Sequence, residues 1–112
     1  MRRIWMPLYI GEYLADTGHL TTLQHGAYFL LIMHYWASGS LPTDPRQLMA
    51  IARMSESDWS SNSHALAMLF LKDWRHKRLD EEILKANKRI HDKSLAGTKG
   101  AMVRYGRWPK GN

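Results

Sequence analysis

FLKDWRHKRL, residues 70–79, is the stretch on which the fold turns. Phe70, Lys72, Trp74, His76 and Arg78 alternate with Leu71, Asp73, Arg75, Lys77 and Leu79, and Lys72-Asp73 is the one turn-like pair. Side chains of a strand point alternately to opposite faces, so a period of two predicts a small β-hairpin, here with a basic second strand. The alternative is a plain helical bundle in which 70–79 is a loop. Paired strands near Trp74 decide between them.

Upstream of this stretch, helix signals dominate. Thr21 and Gln24 make the pattern T-x-x-Q, which satisfies open N–H groups at a helix start, and the helix is predicted from about Thr22 to Ala37, stopped by Gly39. Leu23, Ala27, Leu30, Leu31 and His34 share one face while Phe29, Ile32, Tyr35 and Trp36 fill much of the rest, so this helix reads as central. Before it, Ile10, Tyr13 and Leu14 suggest a short helix that lids the core and closes at Thr17-Gly18. After it, Asp44 caps a helix with Pro45 at its first position, and Ser55 caps the next one, where Met54 can staple onto Trp59. The two meet at a tight corner, Arg53-Met54-Ser55. Downstream, Asp80-Glu81-Glu82 places negative charge at a further helix start, and that helix is predicted to end near Leu95, before Gly97.

A central helix, then helix, corner, helix and basic hairpin predicts a mainly α protein with a small β-hairpin. This is a winged helix-turn-helix with an extra C-terminal helix. The expected organisation is a winged-helix domain at 1–79, a C-terminal helix at 80–95 and a basic, glycine-rich tail at 96–112.

Charge is distributed unevenly along the 112 residues. Residues 1–83 hold eight Lys/Arg and nine Asp/Glu, whereas 84–112 hold eight Lys/Arg and only Asp92, so the net charge of +6 arises in the last quarter. A neutral body with a basic end points to a polyanion, most simply nucleic acid. With no cysteine, disulfides, thiolate metal sites and thiol nucleophiles are excluded, which fits the cytoplasm. Pro7, Glu12 and Asp16 interrupt the apolar run a signal peptide needs, and Ala27–Met33 is far too short to span a bilayer. The six histidines show no metal-ligand spacing, and no nucleophile with its base or phosphate loop is present. A non-enzyme without metal or cofactor is expected.

Four segments in order carry a family resemblance: W-M-P-L-Y-I-G-E-Y-L-A-D-T from Trp5, H-L-T-T-L-Q-H-G-A-Y from His19, L-P-T-D from Leu41 and W-R-H-K-R-L-D-E-E from Trp74. Over about residues 4–100 the chain resembles the YdaU-like domain family of phage and prophage genomes. The resemblance implies a winged-helix, DNA-binding domain associated with phage replication. Longer relatives continue past the stretch that here reads Gly97-Thr98-Lys99-Gly100 into a further domain, whereas this chain stops at Asn112, so a helicase-recruiting role housed there is not expected. Relatives also tend to carry a glycine before the wing tryptophan, and its lack here argues against deep minor-groove insertion.

The candidate nucleic-acid contacts follow. Arg75, Lys77 and Arg78 on the wing and Lys85, Lys88, Arg89 and Lys93 on the last helix can neutralise phosphates. Ser57, Ser60, Ser61 and His64 form the outward row of the second corner helix, a weak reading surface without Arg, Asn or Gln. Lys99, Arg104, Arg107 and Lys110 interleave with Tyr105 and Trp108, a mixture that can track and stack on a single strand, or instead fold back or dock in a partner. The aromatics Trp5, Tyr9, Tyr13, Tyr28, Trp36 and Trp59 read as core, as does His34. Glu12 and Asp16 read as a polar rim or a tie to the turn at His19. A different class of function stays open: a small phage protein that binds a host or phage complex, such as a replisome or defence component. A homodimer is compatible with either.

Overall fold

The computed structural model describes the backbone of residues 5–105 and the side chains of residues 5–93. Among the described residues five helices succeed one another: α1 (Ile10–Thr17), α2 (Thr22–Ser38), α3 (Pro45–Ala52), α4 (Glu56–Ala67) and α5 (Lys77–Tyr105), with one 3-10 turn at Lys72–Trp74. The helix starts obey local chemistry. Thr21 Oγ1 accepts the Gln24 N–H at 3.2 Å while Gln24 Oε1 accepts the Thr21 N–H at 2.9 Å, closing a capping box on α2. Asp44 Oδ1 caps α3 through the Arg46 N–H and Ser55 Oγ caps α4 through the Asp58 N–H. Gly39, at φ 89°, takes the left-handed conformation that ends α2.

The central helix is α2, against which α3, α4 and α5 all pack. Leu31, Tyr35, Leu48 and Leu66 are essentially sealed from solvent, and Met54 and Trp59 lie in the same core. Arg53, at φ 56° and ψ 46°, reverses the chain between α3 and α4, giving the expected corner. Three inward readings differ from expectation, the first being that Trp5 and Tyr9, read as core, are exposed. Ile10 and Leu14 point outward, because Tyr13 and Thr17 are the α1 residues that turn toward α2, and His34 is exposed beside Ser38 instead of lying in the core.

The β-hairpin is absent, and with it the winged helix-turn-helix. Among the described residues the only strand-like pairing is a single antiparallel bridge, Leu71 to Arg75, in which the Leu71 N–H donates to the Arg75 carbonyl at 2.7 Å. Helices claim both flanks of this turn. The Leu69 and Phe70 N–H groups bond back to the Leu66 and Ala67 carbonyls, extending the end of α4, while the Asp80 N–H already bonds to the His76 carbonyl, starting α5. Between them Asp73 and Trp74 adopt φ of 59° and 60°, a conformation uncommon for side-chain-bearing residues, and reverse the chain in three residues. Trp74 is held there by ring contacts with Phe70 and Trp59, at centroid distances of 5.2 and 5.7 Å. The plain helical bundle is the fold.

The expected organisation changes accordingly at α5. The helix starts three residues before Asp80 and continues past Leu95 and Gly97 to Tyr105, so its backbone crosses the divisions drawn at 79 and 95. At 29 residues it is about 43 Å long. Of the tail at 96–112, residues 106–112 lie outside the described residues.

The fully buried Tyr35 fixes where α5 begins. Its hydroxyl donates to Asp80 Oδ1 and accepts the His76 backbone N–H at 3.1 Å. Arg75 Nη2 meets the same Asp80 oxygen at 2.8 Å, and the guanidinium lies over the Tyr35 ring, 5.3 Å from its centroid. A Tyr35→Phe substitution leaves a part-buried carboxylate and a backbone N–H short of a partner. It should lower unfolding stability by about 1–3 kcal/mol, read by urea denaturation, and a variant as stable as the parent would show that the hydroxyl is not the anchor.

Candidate nucleic-acid interface

His76 lies at the root of α5. The Leu79 N–H donates to its Nδ1 at 3.2 Å, so His76 is the side-chain cap of the helix and Nδ1 carries no proton. The ring proton therefore sits on Nε2, which donates to the Tyr28 hydroxyl at 2.9 Å. Stacking on Tyr28 and edge contacts with Phe70 and Tyr35 enclose the ring. Burial lowers the His76 pKa below its ordinary 6.5, with the adjacent Arg78 adding to the effect while Asp80 and Asp16 oppose it. Burial also pushes Tyr28 up to about 12, aided by Tyr13 and Asp16, so its hydroxyl stays protonated.

The cations expected to grip phosphates divide into two groups. Arg75 is committed to Asp80 and the Tyr35 ring. Arg78 is half-buried between α1 and α5, 3.0 Å from Glu12 and 3.7 Å from Asp16, so these two carboxylates clamp α1 to α5 instead of tying the turn at His19. Lys85 approaches Glu82 at 3.6 Å, and Glu82 is itself buried and accepts the Tyr9 hydroxyl at 3.2 Å. By contrast Lys77, Lys88, Arg89 and Lys93 are exposed, with no carboxylate within 4 Å of them among the described residues. All four belong to α5. Lys99 and Arg104 continue on its helical backbone, and Arg107 lies outside the described residues.

Ser57, Ser60, Ser61 and His64 are exposed on α4, as their spacing predicted. Glu56 and Asp58, also exposed, share the start of that helix, and α4 contains no Lys or Arg. A duplex laid along this row would meet two carboxylates and no cation. The structure thus brings together the α5 cations but does not add the α4 row to them as a basic surface. Among the described residues no group of three or more His, Asp or Glu side chains is placed to hold a metal ion, and no helix is long and apolar enough to cross a membrane.

A cleft of about 710 Å³ opens between Met6–Tyr9, α1 and the connection from α4 to α5. Its floor includes Tyr28, His76 and Leu79, and exposed Leu8, Tyr9, Met68 and Leu71 stand on its rim. Residue spacing alone does not expose this cleft, nor the Tyr35, His76 and Asp80 cluster, because each joins positions more than forty residues apart.

Residues 4–84 match the family described as "Protein of unknown function (DUF1376)". The chain is similar to the "Uncharacterized protein YdaU" of Escherichia coli (strain K12), with 36% identity over 106 residues. That alignment covers 92% of this chain and 37% of the relative, so the chain spans little more than a third of the relative's length. No solved structure matches.

The lowered His76 pKa carries a sign. The folded protein binds this proton less readily than the unfolded chain, so the contribution of His76 is complete above pH 6.5 and is lost as pH falls from there through the lowered folded value. Thermal unfolding of the parent should therefore show a drop in Tm across that window that is smaller in His76→Asn, which keeps a capping oxygen but cannot titrate. Equal drops in the two proteins would remove His76 from the account.

Proposed function

Because the chain belongs to the DUF1376 family, whose matched region contains α1 to α4 and the start of α5, we propose a function read from those helices and from the rest of α5. The protein is a non-enzymatic, cytoplasmic DNA-binding protein of phage or prophage origin, associated with replication, and it holds nucleic acid by the outward side of α5. Lys77, Lys88, Arg89 and Lys93 are the contacts, continued by Lys99 and Arg104. One observation carries this reading: four exposed cations of a single helix have no internal partner among the described residues, whereas Arg75 and Arg78 are used to build the fold. Lys and Arg side chains held in a row beside phosphates release condensed counterions, which supplies affinity without sequence recognition. The replication setting comes from the family resemblance alone.

A second reading, a protein partner, is favoured by the apolar rim of the cleft. Leu8, Tyr9, Met68 and Leu71 are between 42% and 71% exposed, more apolar side chain than a sealed surface displays. A complex that survives nuclease treatment and is lost in Leu71→Asp, but not in Lys88→Ala, would favour that reading over the first.

Binding anisotropy across a salt series tests the leading reading. Combined Lys88→Ala, Arg89→Ala and Lys93→Ala should flatten the plot of log K against log salt by about 2–3 on duplex DNA. Arg78→Ala should leave that slope unchanged and cost at most about 1 kcal/mol of stability, as a solvent-exposed ion pair does. An unaltered slope in the triple variant, or absence of salt-dependent binding by the parent, rejects the proposal.

A further inference from the structure

We infer that the α5 surface takes double-stranded nucleic acid and grips its phosphates without reading its bases. This inference rests on the nucleic-acid reading above and narrows it to one strand state. At 3.6 residues per turn, Lys77, Lys88, Lys85 and Arg89 fall within an arc of about 120°, with Lys93 about 40° further round. Glu82 and Ala86, which bracket Lys93 on that wheel, are buried, yet Lys93 is exposed, as are His91 and Asp92. The helix has therefore left the body by Lys93, and a bulky rod can approach its basic side there.

Three properties of this surface select the duplex. Its cations are set on a rigid helix along about 24 Å from Lys77 to Lys93, a length over which duplex DNA presents about 14 phosphates in a fixed array. A single strand has half that charge per strand and gains its additional affinity by stacking on aromatic rings. No Phe, Trp or Tyr occurs between Lys77 and Lys93, so α5 offers no stacking platform there. Finally, the helix diameter of about 10–12 Å matches the major groove width of about 12 Å, which lets long Lys and Arg side chains reach phosphates.

Base reading is not supplied from the same side. Asn87, the side chain of this segment suited to bidentate contact with adenine, is half-buried about 100° away from Lys88, and α4 offers only serines and His64 beside Glu56 and Asp58. Arg89 remains as a single donor to guanine, too little to fix a site. Glu81 and Asp92, both exposed, sit inside the cationic arc, about 20° and 40° from Lys88, and face the same phosphates with the wrong sign.

The experiment is competition anisotropy with the full chain and a labelled duplex longer than α5, against each of its strands and a duplex of the same composition in scrambled order. The duplex should bind about tenfold or more tighter than either strand, the scrambled duplex should compete within about twofold, and Asp92→Asn should tighten duplex binding about two- to threefold. Circular dichroism confirms that Asp92→Asn keeps its helix content. A single strand that binds as well as the duplex overturns this inference while leaving the nucleic-acid reading in place, and a strong preference for one duplex sequence overturns the base-independent part. Absence of salt-dependent binding to either form removes both readings together.

Discussion

A buried tyrosine hydroxyl governs the geometry of this protein. Tyr35 lies in the last turn of α2 with no solvent exposure, and a hydroxyl so placed destabilises the fold unless it is paired. Its partners are the His76 N–H and Asp80, the residue before α5 and the fourth residue within it. Satisfying one side chain on the central helix thereby sets the residue at which a 29-residue helix starts and the direction in which it departs. His76 reinforces the same point by capping that helix with a nitrogen that must stay unprotonated. Core burial along α5 is slight by comparison, resting on Leu79 and Ala86 with Ile83 packed beside them. Polar geometry at the root thus settles what apolar area alone would leave loose.

Much of this fold could be read from residues in order. Each cap on α2, α3 and α4 involves a side chain and a backbone group two or three positions apart, so T-x-x-Q, Asp44-Pro45 and Ser55 state the answer locally. The corner at Arg53 followed from those two caps. The failure at 70–79 is instructive because the signal there was real. From Asp73 to Arg78 exposed Asp73, Arg75 and Lys77 alternate with half-buried Trp74, His76 and Arg78, so a period of two exists there, although exposed Lys72 and buried Leu79 break it on either side. It is produced by a 3-10 turn with two left-handed residues between helices, where a ladder has no room to grow. Alternation reports which side chains meet the core, and only a run of backbone pairs makes it a strand.

The candidate surface was legible in part for a related reason. Composition located the positive charge near the end of the chain, and the exposed Lys88, Arg89 and Lys93 agree with that. Composition is silent about pairing, however, and three of the seven cations assigned to the wing and last helix turned out to have carboxylate partners. Arg75 meets Asp80 five residues on, a spacing that a helix or strand would not bring together. Arg78 meets Glu12 and Asp16 from a helix more than sixty residues earlier, and only the assembled fold makes that contact visible. The i, i+4 pair Glu12 and Asp16, which looked like a polar rim, is the other half of a clamp.

Cations with carboxylate partners and cations without them consequently fall in different stretches of one charge-rich region. Through Lys85 the cations near α5 face internal acids: Asp80, Glu12, Asp16 and Glu82 account for Arg75, Arg78 and Lys85, with Lys77 the exception at the helix start. Between Lys88 and Lys93 every residue of α5 is exposed, Asp92 is the one acid, and Lys88, Arg89 and Lys93 have no carboxylate partner among the described residues. Like charges at helical spacing repel, so such a row costs the isolated protein stability that an anionic partner restores on contact. A helix rooted by a neutral, fully paired cluster can tolerate that repulsion at its far end, because the cluster that fixes its direction does not depend on the charges it displays.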